Sequence, residues 1–254
     1  VHGLNSPSRY SAVMASGDRV ICVSRTVRDY VLAQYPHTDP GKLRVIARGI
    51  DPAEFPSAPW PDRAARARIA ILHPQLAGDG PLLLLPGRGT RLKGHADALR
   101  LLAGLRAHGS DARLWLLGTR DQDRDAYVAE LEASAATLGV AAAIAITPPT
   151  AAIAQAYAAS DLVLQLSRKP EAFGRTVIEA LSVGRPVLGW AHGGVGELLR
   201  ELQPRGAVVP FDHAQLEAGA RTLLAQPSAP AITIPYTLRA MKEATLAVYD
   251  ELAS

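Results

Sequence analysis

Four consecutive leucines, Leu82 to Leu85, run into Pro86 and then the glycines Gly87 and Gly89. A short apolar run with no polar alternation suits a strand covered on both faces, which is the habit of parallel sheets. Leu114-Trp-Leu-Leu117 and Leu162-Val-Leu-Gln-Leu166 repeat the pattern. Strands are predicted near 82–86, 113–117, 144–146, 162–166, 186–189 and 207–209, with stretches of helical spacing between them. Repeated βαβ units of this kind give an α/β fold with a doubly wound, Rossmann-like parallel sheet. In such a sheet ligands bind at the carboxyl ends of the strands.

Two strand ends carry the chemistry. After Leu166, Pro170 and Gly174 make a turn, and Arg175 to Val183 has helical spacing with Val177, Ile178, Leu181 and Val183 able to face the sheet. The amides of Gly174, Arg175 and Thr176 then sit at a helix N-terminus, where the dipole favours an anion. In Glu171-Ala-Phe-Gly-Arg-Thr-Val-Ile-Glu179 the first glutamate precedes the helix and the second lies more than a turn inside it. The two carboxylates therefore reach different parts of one extended ligand, and hydroxyl-rich sugars suit such acceptors.

After Pro86, the run Gly87-Arg88-Gly89-Thr-Arg91-Leu92-Lys93-Gly94-His95 leads into a helical face predicted at Ala96, Leu99, Leu102, Ala103 and Leu105. Arg88 and Lys93 stand where a pyrophosphate would need counter-charge. Lys93 is followed by glycine and not by Ser or Thr, so this is no P-loop; Leu92 occupies the place of the third glycine, so it is no dinucleotide fingerprint.

Taken in order, Gly87-Arg88 with Lys93-Gly94, Glu171-x-Phe-Gly with Glu179, and Gly193-Gly194 with Glu197 resemble the donor half of retaining GT-B glycosyltransferases of the large family 4. Further matches are Leu116-Leu117-Gly118, Tyr157 to Asp161, Gly184-Arg-Pro-Val187, and Val45 to Asp51 with Phe55, so the resemblance covers nearly the whole chain. Arg48 departs from it, since the family commonly has Asn there, and no role is assigned to it. The phrase Arg168-Lys-Pro-Glu-Ala-Phe-Gly resembles bacterial members that build cell-surface polysaccharide or lipopolysaccharide.

The resemblance implies a role for each matching position. Arg88 and Lys93 hold the donor pyrophosphate and stabilise the leaving nucleoside diphosphate. Glu171 binds hydroxyls of the donor sugar, and the backbone from Phe173 through Gly174, Arg175 and Thr176 approaches the sugar and distal phosphate. Glu179 takes the ribose, the base lies near the strand end at Ile146-Thr147, and Gly118 is a further donor-binding position. His2, in Val1-His2-Gly3, matches a histidine that reaches across the cleft toward the transferred sugar; at a chain start it otherwise reads as a surface or expression-derived residue. The catalytic set is then Arg88, Lys93, Glu171 and His2, with no metal and no cofactor, the nucleoside diphosphate sugar being a substrate. The implied reaction is front-face transfer with retention to a carbohydrate or lipid-linked acceptor.

Residues 1–57 are predicted as a helix (7–16), a strand (19–24), a helix (26–35) and a strand (43–46), too little for an independent sheet domain. They resemble the closing part of a first, acceptor-side Rossmann-like domain whose opening, roughly another hundred residues on domain-size grounds, precedes Val1. A connector (58–80), the donor domain (81–235) and a terminal helix (236–254) that crosses back to the first domain complete the expected organisation. The connector's basic helix, 62–76, carries Arg63, Arg66 and Arg68, with Ile69, Ile71 and Leu72 on its apolar side.

Composition sets few further limits. A net charge of +3 gives no case for nucleic acid. A pI near 9.2 permits peripheral contact with anionic lipid, with the three arginines as a site or merely a solvated face. The resemblance implies a cytoplasmic protein, peripheral at most on the inner membrane face. Cys22, the single cysteine, is predicted as a buried strand residue. Asp121, Asp123 and Asp125 are predicted at a helix start, the histidines at 73, 95, 108, 192 and 213 lack metal-ligand spacing, and His192 borders the donor pocket. Two other readings stay open: a non-catalytic nucleotide-sugar binding module, and a sugar-nucleotide epimerase of the same architecture.

Overall fold

A computed structural model describes residues 1–226 and 233–253. Six strands, β3 (Leu82–Pro86), β4 (Arg113–Leu117), β5 (Ile144–Thr147), β6 (Leu162–Gln165), β7 (Val187–Trp190) and β8 (Ala207–Val208), form one parallel sheet in the order β5-β4-β3-β6-β7-β8. A second parallel sheet pairs β1 (Val20–Cys22) with β2 (Leu43–Val45). The helices are α1 (Arg9–Ala12), α2 (Arg25–Gln34), α3 (Arg63–Leu72), α4 (His95–Ala107), α5 (Asp125–Thr137), α6 (Ile153–Ala159), α7 (Arg175–Ser182), α8 (Gly193–Leu202), α9 (His213–Leu224) and α10 (Leu238–Ala253).

The leucine run explains the layering. Leu82 and Leu84 join one apolar cluster with Trp115, Val163 and Val177, while Leu83 and Leu85 join the other with Leu114, Leu116 and Leu164. Both faces of β3 are thus buried, and burying a leucine side chain stabilises by about 1.5–3 kcal/mol. The strand order reverses at β3, between β4 and β6, so the crevice for a ligand opens beyond the ends of β3 and β6. Every strand predicted for the large sheet is present.

Local readings needed correction in two helices. On α4 the buried apolar positions are Ala98, Leu99, Leu101, Leu102 and Leu105, whereas Ala96 points outward. The connector helix ends at Leu72 and a short 3-10 turn, Pro74–Leu76, follows, because proline cannot continue the hydrogen-bond ladder. Ile71 and Leu72 are 79% and 70% exposed, so they do not form its apolar side. Arg66 turns inward: its guanidinium donates to the carbonyls of Leu76 (2.9 Å) and Gly80 (3.2 Å) and meets the Asp161 carboxylate at 3.4 Å. The three arginines therefore do not share one solvated face.

The small sheet leans on its surroundings. Its apolar residues Val20, Cys22 and Leu43, with Val27 of α2, belong to the same cluster as Phe173, Val195 and Leu198 of the large unit. Cys22 is buried, and burial pushes its thiol pKa up. At the other end of the chain, Leu238 donates to the Ile50 carbonyl, Ile50 donates to that of Tyr236, and Glu251 near the end of α10 pairs with Arg19 and Arg44. Arg185, fully buried, fixes the connector by donating to the carbonyls of Ala58 and Pro59. Residues 227–232 of the expected donor domain, and Ser254 of the expected terminal helix, lie outside the described residues. Among the described residues, no helix is long and apolar enough to cross a membrane.

Candidate active site

The loops after β3 and β6 are built against each other. Gly94 adopts a left-handed φ of +78°, and a Cβ there would strike the Leu166 carbonyl, so no other residue fits without moving one loop. Arg168 donates its amide to the Leu92 carbonyl at 2.8 Å and its guanidinium to the buried Asp97 carboxylate at 2.7 and 2.9 Å. The result is a fixed frame for two side chains of opposite charge. Lys93 Nζ lies 2.5 Å from Glu171 Oε1, and Glu171 also accepts from Ser167 Oγ and, at 3.2 Å, from Gln165 Nε2.

Lys93, Gln165 and Glu171 line an open cleft of about 460 Å³ together with His2, Val23, Arg48, Ala172, Phe173, Gly174, Arg175 and Thr176. Gly174 caps α7 with a φ of +99°, and it lines the cleft together with Arg175 and Thr176 of that helix's first turn, whose amides have no partner within the helix. Phe173 is buried and meets the Tyr236 ring edge-on at 5.9 Å, so only its backbone is available to a ligand. Arg88 is exposed, and among the described residues no ion pair or side-chain hydrogen bond engages it. Its neighbour Gly87 is pinned by donating to the Leu117 carbonyl at 2.8 Å.

His2 is in this cleft, and its state follows from a neighbour. Arg48 Nη2 sits 3.1 Å from His2 Nδ1. A guanidinium can only donate, so Nδ1 accepts and the proton of the neutral ring is on Nε2. Partial burial, followed by the Arg48 charge, lowers the His2 pKa and favours that neutral form. Arg48, to which sequence reasoning gave no role, therefore orients the histidine.

Glu179 stands apart. Only 9% exposed, it accepts from Tyr157 OH at 2.9 Å and pairs with Arg175 at 3.0 Å, and it is absent from the cleft lining. Burial, reinforced by the Glu179 charge, pushes the Tyr157 hydroxyl well above its ordinary pKa, so it stays a donor. Gly118 and Ile146 are further off still, at the ends of β4 and β5. Ile146 lines a separate cleft of about 270 Å³ with Arg120 and Glu132, and Gly118 donates to the Thr147 carbonyl at 3.0 Å. With β5 three strands from β6, the spacing is on the order of 14 Å, which an extended ligand spans and a single sugar does not.

Several contributors were missed. Gln165 was a readable signal, being the one polar residue near the end of an apolar strand; Ser167 and the buried His95 were not. His95 lies between Thr119 Oγ1 (2.9 Å) and Tyr127 OH (3.3 Å), directly after the Lys93-Gly94 turn, and burial lowers its pKa to about 4. His192 Nε2 donates to the Ser167 carbonyl at 2.8 Å, and so holds the loop that leads to Glu171. Asp121 and Asp123 precede α5, and Asp125 opens it. Among the described residues, no group of three His, Cys, Asp or Glu side chains is arranged to hold a metal ion.

A pair of facing loops at the switch point of a parallel sheet, with cations on one and a carboxylate on the other, matches a known protein class. The family description "Glycosyl transferases group 1" fits residues 72–239. The chain belongs to this glycosyltransferase family. D-inositol 3-phosphate glycosyltransferase 1 of Catenulispora acidiphila is 30% identical over 224 residues, covering 86% of this chain and 51% of that protein. The corresponding protein of Jonesia denitrificans is 33% identical over 186 residues, covering 71% and 42%. The chain thus spans about half the length of the curated relatives it matches, or less.

Solved structures show the same fold. A glycosyltransferase from Rickettsia africae superposes with a TM-score of 0.76 at 22% identity, covering 98% of this chain and 68% of the other. Anabaena HepE, in complex with UDP and glucose, gives 0.72 at 19% identity, covering 96% and 65%. The fold is therefore GT-B-like α/β.

Proposed function

We propose that the protein transfers a sugar from a nucleoside diphosphate sugar to an acceptor hydroxyl with retention of anomeric configuration. The observation that carries this reading is the Lys93–Glu171 pair at the switch point of the sheet. Glu171, already an acceptor for three donors, can exchange one of them for a sugar hydroxyl. Lys93, released from that pair, can turn to a phosphate oxygen, with Arg88 adding charge from the same loop. As the bond from the anomeric carbon to the phosphate oxygen breaks, negative charge collects on the leaving diphosphate. The two cations and the amides at Gly174, Arg175 and Thr176 stabilise it, a contribution that typically reaches 10²–10³-fold in rate for one well-placed donor. This supply of positive field is why the reading is metal-independent.

The acceptor oxygen attacks from the face the phosphate leaves, and its proton passes to the departing phosphate oxygen, so no protein nucleophile takes part. His2, held as an Nε2–H donor by Arg48, would meet the transferred sugar. Glu179 would bind the ribose after yielding its bond to Arg175, and the base would lie toward Gly118 and Ile146.

On this reading residues 1–57 close an acceptor-side Rossmann-like domain, 58–80 connect, 81–235 hold the donor, and 236–254 return to the first domain. The acceptor is a carbohydrate or lipid-linked carbohydrate of cell-surface polysaccharide or lipopolysaccharide synthesis. The fold neighbours support that range: WaaG acts in lipopolysaccharide biosynthesis, and HepE is seen with UDP-glucose. The reading puts the enzyme in the cytoplasm, where sugar nucleotides are made, with peripheral membrane contact where the acceptor is lipid-linked. The test is transfer or donor hydrolysis by the full-length protein across UDP-, GDP- and ADP-sugars, with product configuration read by NMR. An inverted product, or no turnover of any sugar nucleotide, overturns the proposal.

A further inference from the structure

The N-terminus of α2 is not capped by its own unit alone. Ser24, its N-cap, accepts from the Val27 amide at 3.0 Å, and its hydroxyl donates at 2.6 Å to the carbonyl of Ala172. The next two amides, Arg25 and Thr26, donate to the Glu197 carboxylate of α8 at 3.1 and 3.0 Å, and the Thr26 hydroxyl donates to it at 3.2 Å. The Arg25 guanidinium adds an ion pair with the same carboxylate at 3.1 Å. Helix amides of the first turn have no partners within their helix, and a carboxylate there also meets the positive end of the dipole. In α2, two of those amides find their partner in one residue 172 and 171 positions away.

The Ser24 contact lands on the turn that carries Glu171, and the Glu197 contact lands on the helix that holds that turn. Ala172 is its immediate neighbour, and the Glu171 carbonyl accepts from the amide of Gly194, three residues before Glu197 on the same helix. The backbone on either side of the sugar-facing carboxylate is therefore held by α8 at residue 171 and by the small unit at residue 172. If the small unit moves off, Arg25 and Thr26 lose their partners while Ala172 loses its only cross-unit donor among the described residues.

We infer that Ser24 and Glu197 are positioning residues that couple the seating of the small unit to the shape of the Glu171 turn. The inference rests on the transferase reading for its effect on turnover, but not for the coupling itself. Neither residue touches the reacting atoms; they set where Glu171 and the Phe173-Gly174 backbone stand when the cleft is complete. Seating the small unit, which brings His2 and Arg48 over the cleft, thus also finishes the donor turn beneath them.

The experiment compares full-length wild type with Glu197→Ala, Ser24→Ala and Ser24→Thr by hydrogen–deuterium exchange and by steady-state kinetics. Glu197→Ala should speed exchange in peptides covering 25–34 and, in the same protein, 170–176. Its kcat should fall about 10- to 100-fold, the scale of a misplaced group at the reacting centre. Affinity for the nucleoside diphosphate lacking sugar, measured by calorimetry, should stay within about twofold, because Arg88 and Lys93 remain in place. Ser24→Ala should act in the same direction, and Ser24→Thr, which keeps the hydroxyl, should restore both readouts. Faster exchange in 25–34 with 170–176 unchanged and kcat intact would reduce Glu197 to a helix cap and overturn the inference. If Glu197→Ala does not fold, Ser24→Ala carries the same comparison with Glu197 retained. If the wild type turns over no sugar nucleotide, the transferase reading falls, while the paired exchange measurement still decides the coupling.

Discussion

The two sheets use the same kinds of residue yet hold together by different means. β3 of the large sheet has a strand on each side, apolar layers above and below, and leucines that are essentially unexposed. Among the described residues β2 of the small sheet pairs with β1 alone, and its last residue, Val45, is 41% exposed. A two-stranded sheet is not stable alone, so the small unit draws its order from α8, α10 and the shared apolar cluster. The contrast teaches where function is vulnerable: the large sheet supplies a rigid floor with Lys93 and Glu171, and the small unit supplies His2 and Arg48 on a support that depends on contacts.

Four measurements would break or sharpen that contrast. The largest effect is expected from Leu84→Ala, which should lower unfolding free energy by about 3–5 kcal/mol in denaturant titration, since both faces of β3 are packed. A loss below ~1 kcal/mol would show that the large sheet is not the stable floor. Lys93→Ala should cost about 3–4 kcal/mol in transition-state stabilisation, read as a 10²–10³-fold drop in kcat/KM with the fold's midpoint nearly unchanged. Near-normal turnover would sink its assignment.

Third comes a pH effect confined to the large unit. His95 has a folded pKa of about 4, below its ordinary 6.5, so the unfolded chain binds a proton first as pH falls. The stability it contributes is full above about pH 6.5 and is lost as pH drops toward 4, by about 2 kcal/mol between pH 7 and 5. His95→Asn should flatten that slope; an unchanged slope would mean that the buried ring is not the group responsible. Last, Val45→Ala in the small sheet should change stability by only ~0.5 kcal/mol or less, in keeping with an exposed strand position. A loss of several kcal/mol there would erase the distinction between the sheets.

Much of the large unit was legible because its signals are local. Uniform apolar runs named the strands, and the loops at Gly87–Gly94 and Pro170–Gly174 marked the two ends that meet. The failures were of facing. Ile71 and Leu72 read as an apolar stripe, yet α3 turns Arg66 inward, because the carbonyls of Leu76 and Gly80 and the carboxylate of Asp161 offer it partners that no periodicity reveals. Glu171 and Lys93 were each identified as donor-binding, but their pairing was not, since 78 residues separate them in the chain.

The parallel α/β sheet, the switch-point loops and the types of side chain brought to them follow from the order of residues, because strand burial and turn chemistry are written within a few residues. Which groups are already engaged is set by packing. Glu179 is committed to Tyr157 and Arg175, His2 is held as a donor by Arg48, and Glu197 caps a helix of the other unit. Each of these depends on hydrogen-bond geometry of a few ångströms between residues distant in sequence, and such distances exist only once the chain has packed.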